Sequence, residues 1–182
     1  MSAAPQPRLF FALWPTRLER ARMAAAAAPF ALEASARRVA VENYHMTVAF
    51  VGEVDELQAA RLRRVAALSR AARFSVRFDA FEYWPKPQVV VAAAREIPPA
   101  LAELWQDLHS RLAAVGFSLE PKRLRPHVSL AGKVAAAPLL PPMAACAWQA
   151  EELCLLRSAS AAERGAYTVV DRWPLLDAPP QG

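Results

Sequence analysis

The chain has 182 residues and a mass of 19.9 kDa, room for one domain or two small coupled lobes and no more. Apolar residues make up 55%, but 41 of them are Ala, so a core must rest on five Trp, eight Phe and the many Leu and Val; the 21% charged residues interrupt the apolar runs often enough to exclude a disordered chain and a membrane span of about 20 residues. Net charge is +5 with Arg supplying 19 of the 22 basic residues, which suits an anionic partner such as nucleic acid, although codon bias toward Ala, Arg and Pro would give the same composition.

The opening residues 1–8 carry no basic segment followed by an apolar run, so no secretory signal is expected and the default compartment is the cytoplasm. The aromatic run Arg8–Trp14, stopped by Pro15, predicts a buried strand. Thr16 is a natural N-cap for a helix over Leu18–Ala28. Two strands are expected next, Arg37–Val41 and Tyr44–Val51, the second ended by Gly52. A helix over Val54–Ser69 places Leu57, Leu62, Val65 and Leu68 on one face. The alternation in Phe74–Phe81 reads as a half-exposed strand with Phe74, Val76 and Phe78 inward.

Trp84-Pro85-Lys86-Pro87 turns the chain into a strand over Gln88–Ala93. Pro98 and Pro99 open a helix to Val115, with Leu101, Leu104, Trp105, Leu108 and Leu112 buried and Gly116 as its stop. A charged loop, Glu120–Pro126, leads to a strand at His127–Ala131. An Ala/Pro-rich connection follows, then strands near Glu151–Arg157 and Tyr167–Trp173. Strands mixed with four helices, without regular βαβ alternation, predict an α+β fold with antiparallel pairing. Cys146 and Cys154 lack the spacing of a zinc or redox site and read as packing residues.

Two of the three histidines sit in the same pattern, His45-Met46-Thr47-Val48 and His127-Val128-Ser129-Leu130. Along a strand, the His and the hydroxyl at i and i+2 share one face while the apolar pair points the other way. The motifs lie 82 positions apart in similar halves, which suggests two lobes with internal pseudo-symmetry, each lending one strand to a common cleft. Two imidazoles flanking a phosphorus can divide acid and base work, and hydroxyls at Thr47 and Ser129 can donate to the non-bridging oxygens. Neither motif is accompanied by a third ligand at metal spacing, so neither a metal nor another cofactor is implied.

These residues resemble the 2H phosphoesterase superfamily, marked by a duplicated His-x-Thr/Ser-x motif. Within it they resemble the RNA 2′,3′-cyclic phosphodiesterases, also called 2′-5′ RNA ligases. The likeness covers Arg8-Leu-Phe-Phe-Ala, Asn43 to Glu53, Arg125 to Leu130 and Tyr167 to Leu175. It implies a single bilobal domain over 1–182, two pseudo-symmetric antiparallel-sheet lobes with outer helices around a central cleft. It also implies metal-independent hydrolysis of a 2′,3′-cyclic phosphate to a 2′-phosphomonoester, with reverse 2′-5′ ligation as a companion reaction. His45 would protonate the departing 3′ oxygen and His127 would activate water. Family members often carry Arg five residues after the second His, where this chain has Gly132; Lys133, Arg123 or Arg125 would supply the charge.

His109 lacks a hydroxyl at i+2 and reads as structural or exposed. Lys122, Arg123 and Arg125 form either a solvated loop or a phosphate contact. Tyr83 and Trp84 either stack on a base or belong to the core. Arg61, Arg63 and Arg64 read as an exposed helix face. The expected partner is an RNA end or nucleotide with a 2′,3′-cyclic phosphate, met by a monomer. The competing reading is a basic RNA-end-binding module without turnover, in which His45→Ala would cost affinity only.

Overall fold

The computed structural model describes residues 6–28, 36–120, 123–158 and 167–177. Its first strand, β1 (Arg8–Leu13), is buried on both faces after Arg8 because the main core covers one face and a smaller apolar cluster the other, which explains its unbroken apolar sequence. Helix α1 (Arg17–Ala27) starts at Thr16 as expected, and the cap is reciprocal: the Glu19 N–H donates to the Thr16 hydroxyl, and the Thr16 N–H donates to the Glu19 carboxylate at 2.8 Å. Pro29, read as its stop, lies outside the described residues.

The expected strand over 37–41 is reduced to β2 (Arg37–Arg38), followed by a 3₁₀ turn, Val41–Asn43, and then β3 (Met46–Glu53). Helix α2 (Glu56–Leu68) is capped by Asp55. Leu62, Val65 and Ala66 are its buried face, whereas Leu57 and Leu68 are 63% and 58% exposed. At about 100° per residue those two leucines fall on the opposite side of the helix from Leu62, so the predicted four-residue stripe is corrected.

The strand expected over 74–81 is two strands, β4 (Phe74–Phe78) and β5 (Ala80–Trp84), separated at Asp79. Phe74, Val76 and Phe78 do face the core. The chain then forms β6 (Val89–Ala93), α3 (Pro99–Ala114) and β7 (His127–Gly132). Gly116 ends α3 in the left-handed region at φ 92°, with the Phe117 N–H reaching back to Leu112 O. Leu101, Leu104, Leu108 and Leu112 are buried, but Trp105 is half-buried, its ring packed on His109. The last strands are β8 (Cys146–Ala150), inside the region read as a connection, β9 (Glu152–Arg157) and β10 (Thr168–Pro174). Among the described residues there are three α-helices, not four; the fourth helical piece is the 3₁₀ turn.

Two four-stranded antiparallel sheets result, ordered β10-β9-β1-β3 and β2-β7-β6-β5, with β4 and β8 paired separately. Each large sheet contains a strand whose antiparallel partner returns later in the chain, β1 with β3 across α1 and β6 with β7 across α3. In both pairs a histidine stands at the beginning of the returning strand. One face of the first sheet joins the main core through Leu9, Phe11 and Leu13. The other forms a smaller cluster of Phe10, Ala12, Cys154 and Leu156, backed by Trp14 and Tyr167. Both cysteines are buried and free.

Candidate active site

His45 precedes β3 by one residue, and Leu13 at the end of β1 pairs with Met46 beside it. Its Nδ1 lies 2.7 Å from the Asn43 carbonyl oxygen. His127 opens β7 opposite Ala93, and its Nδ1 lies 2.6 Å from the Arg125 carbonyl oxygen. A carbonyl only accepts, so in each ring Nδ1 donates and, in the neutral form, Nε2 keeps the lone pair for chemistry. The two halves therefore wire their histidines identically, through the carbonyl two residues upstream.

Met46 and Val48, and Val128 and Leu130, are buried, while Thr47 and Ser129 are half-buried on the same faces as their histidines. β3 and β7 belong to different sheets and are in contact, which brings the motifs to one seam. The rings are close enough for a charge on His127 to act on His45. Burial holds the His45 imidazole below the ordinary 6.5; His127 and Arg20 push the same way, against the Asn43 hydrogen bond. His127 is also lowered, by burial first, with Arg125 adding and the carbonyl bond and Glu82 opposing.

The surroundings of the rings were not legible as a set. His45 is packed by Phe10 at 5.2 Å, Tyr167 at 4.8 Å and Trp14 at 6.2 Å between ring centroids. His127 meets Trp84 at 4.5 Å. Glu82 accepts from Trp84 Nε1 and from the Arg125 guanidinium, each at 2.7 Å, and that guanidinium lies 4.2 Å over the Trp84 ring. Trp84 thus belongs to the site, whereas Tyr83 is tied down by its hydroxyl donating to Val134 O at 2.8 Å.

The three cations proposed to replace the Arg absent at Gly132 fall in different places. Arg125 is beside His127 but engaged by Glu82, and Arg123 is exposed on the loop leading in. Lys133 is exposed past the end of β7 with φ 57°, six extended residues or about 20 Å of strand from His127. Lys122 lies outside the described residues. His109 makes a 3.2 Å hydrogen bond through Nε2 to Val48 O, pinning α3 to β3, a structural role. Arg61, Arg63 and Arg64 are exposed, Arg63 pairing with Asp171 at 2.7 Å. Among the described residues no three His, Cys, Asp or Glu come together in a set that could hold a metal ion, and no helix is long and apolar enough to cross a membrane.

The family model of the 2′-5′ RNA ligase superfamily matches residues 12–162. The chain belongs to that superfamily. The RNA 2′,3′-cyclic phosphodiesterase of Escherichia coli (strain K12) is 31% identical over 170 residues, 92% of this chain and 96% of that protein. Among solved structures, E. coli LigT complexed with 3′-AMP superposes with a TM-score of 0.86 at 30% identity, covering 94% of this chain and 99% of that one. TT0787 of Thermus thermophilus gives 0.77 at 27%, covering 93% and 98%. The α+β fold with antiparallel sheets is that of the superfamily.

Proposed function

We propose that this protein hydrolyses RNA or nucleotide 2′,3′-cyclic phosphates to 2′-phosphomonoesters, the whole chain acting as one bilobal catalytic unit and as a monomer. The observation that carries the reading is the pair of half-buried imidazoles, each oriented by a carbonyl two residues upstream and facing one seam between two sheets. Similarity to proteins named RNA 2′,3′-cyclic phosphodiesterase supports the same substrate class.

In this mechanism neutral His127 takes a proton from water through Nε2 as the water oxygen bonds to phosphorus. Protonated His45 gives its Nε2 proton to O3′ as the P–O3′ bond breaks, leaving a 2′-phosphate and a free 3′-hydroxyl. Thr47 and Ser129 donate hydrogen bonds to the non-bridging oxygens as their charge grows. With a ribose 5′-hydroxyl in place of water, the same groups join RNA ends: the 5′ oxygen bonds to phosphorus, the P–O3′ bond breaks as before, and a 2′-5′ linkage remains. Arg123, exposed on the loop before His127, meets phosphate charge. Lys133 is too far along β7 to do so, and Lys133→Ala is expected to leave kcat and KM unchanged.

The decisive experiment is incubation with a 2′,3′-cyclic mononucleotide in excess EDTA, with the product isomer identified by phosphorus NMR. A 2′-phosphomonoester is expected. A 3′-isomer, or turnover abolished by the chelator, overturns the mechanism.

A further inference from the structure

The two histidines share more than their carbonyls. In the first half the Arg20 guanidinium lies 4.4 Å over the Trp14 ring, and Trp14 lies 25° from parallel to His45. In the second half the Arg125 guanidinium lies 4.2 Å over Trp84, and Trp84 packs on His127 at 4.5 Å, tilted by 55°. Both halves thus contain an Arg–Trp–His arrangement, built from different parts. Trp14 follows β1 and Arg20 comes from α1, whereas Trp84 ends β5 and Arg125 precedes β7. A copied local motif would use the same elements in both halves. Reaching one arrangement by two routes points instead to something both imidazoles need.

The hydrogen bonds say what that is. Arg20 donates through Nη2 to Pro15 O at 2.8 Å and through Nη1 to Glu42 O at 3.2 Å, stapling the start of α1 to the 3₁₀ turn that leads into His45. The next residue of that turn, Asn43, provides the carbonyl that His45 Nδ1 binds, and its side-chain oxygen accepts from Tyr167 N–H at 3.2 Å. Arg125 provides the corresponding carbonyl itself, and its guanidinium and Glu82 together fix Trp84. With both Nη groups of Arg20 turned to backbone carbonyls and its Nε buried, the side chain is a brace and not a hand extended to substrate.

We propose that Arg20 and Arg125 are paired positioning residues, each pressing a tryptophan toward one histidine and fixing the segment whose carbonyl orients that ring. This rests on the two-histidine reading above. The charged and titratable groups facing His45 are Arg20 from α1 and His127 from β7, with Tyr167 against its ring; Glu42, Arg172 and Glu19 act on Arg20. Those facing His127 are Arg125 on its own segment, Glu82 from β5 and His45.

The test uses Arg20→Gln, Arg20→Lys and Arg125→Gln in the full chain, each checked for wild-type circular dichroism, with Trp14→Phe as a milder route to the same contact. Steady-state kinetics use a 2′,3′-cyclic mononucleotide; nitrogen-15 NMR follows the tautomer and titration of each ring. Arg20→Gln is expected to lower kcat about 10- to 100-fold with KM within twofold, because a misplaced acid or base costs rate more than binding. His45 alone should titrate at higher pH, having lost a neighbouring positive charge. Arg125→Gln should do the same to His127, which also gains an unpaired Glu82. Arg20→Lys should return the His45 midpoint toward wild type while kcat stays low, since an ammonium cannot span two carbonyls and cover an indole.

A KM rise with kcat unchanged would make the arginines substrate ligands and overturn the proposal. So would unaltered ring titrations and tautomers in both Gln variants. If the rings respond as expected but the wild type turns over no cyclic phosphate, the phosphodiesterase reading falls and the bracing of the rings stands.

Discussion

Alanine at His45 or His127 is expected to lower kcat about 10²- to 10⁴-fold with KM changed only a few-fold, because the proposed mechanism has each ring move a proton in the transition state. Steady-state kinetics on both variants check this, and a KM effect of the same size with intact kcat would argue for binding instead. Both rings sit below 6.5 in the folded protein, so the condition of one neutral and one protonated imidazole is best met on the acid side of that value. The pH profile of kcat/KM should therefore be bell-shaped with its maximum below pH 6.5. The same shifts bear on stability. His45, His109 and His127 are all lowered, so on acidification the unfolded chain takes up protons before the folded one does. Their contribution is complete above about pH 6.5 and is lost as pH falls through the folded values; urea midpoints at pH 7.5 and 5.5 should show the drop. At this scale the His and hydroxyl pairs were legible because strand alternation fixes their common face. Trp14 and Trp84 were harder, since each meets a histidine on another strand. Two of the three Trp-Pro pairs, at residues 14–15 and 84–85, mark them, but the third, at 173–174, packs its ring on Phe11, so the dipeptide alone did not single out the site.

Elements were read well where local chemistry decides them and poorly where partners do. The Thr16 cap, the Pro-led start of α3 and its Gly116 stop are local rules, and all three stand in the structure. β4 and β5 looked like one strand because their sequence alternates without a break, but β4 pairs with β8 and β5 with β6. β8 itself alternates Cys146, Trp148 and Ala150 inward, yet three prolines upstream disguised the region as a loop. The join between α1 and β8 passes through Glu19, 7% exposed, whose Oε1 accepts the Gln149 N–H at 2.6 Å. Glu19→Ala removes half of the capping box and leaves that N–H without its acceptor, which should cost about 2 kcal/mol. Thr16→Ala, which removes the cap hydroxyl alone, should cost about 1 kcal/mol. Equal urea midpoints for the two variants would contradict this ordering.

For the molecule as a whole, a net charge of +5 carried mostly by Arg gives an RNA strand more to hold than the reacting phosphate. Raising salt should therefore increase KM for an oligonucleotide ending in a cyclic phosphate more steeply than for a cyclic mononucleotide, the log–log slope growing with the number of phosphates engaged. Identical slopes would confine recognition to the terminal nucleotide. That the two motifs lie on strands of different sheets was legible from their spacing, but the sheet order was not, since it depends on pairings between distant segments. That order has a further consequence. β1 and β10 lie in one sheet on either side of β9, and Tyr167, just before β10, covers His45. A nascent chain emerging from the ribosome exposes both histidines well before the strand that closes the first of them in, so full enclosure of His45 must await synthesis of Tyr167 and β10. A premature stop ahead of residue 167 should release a product that carries both histidine motifs but lacks the ring that packs on His45.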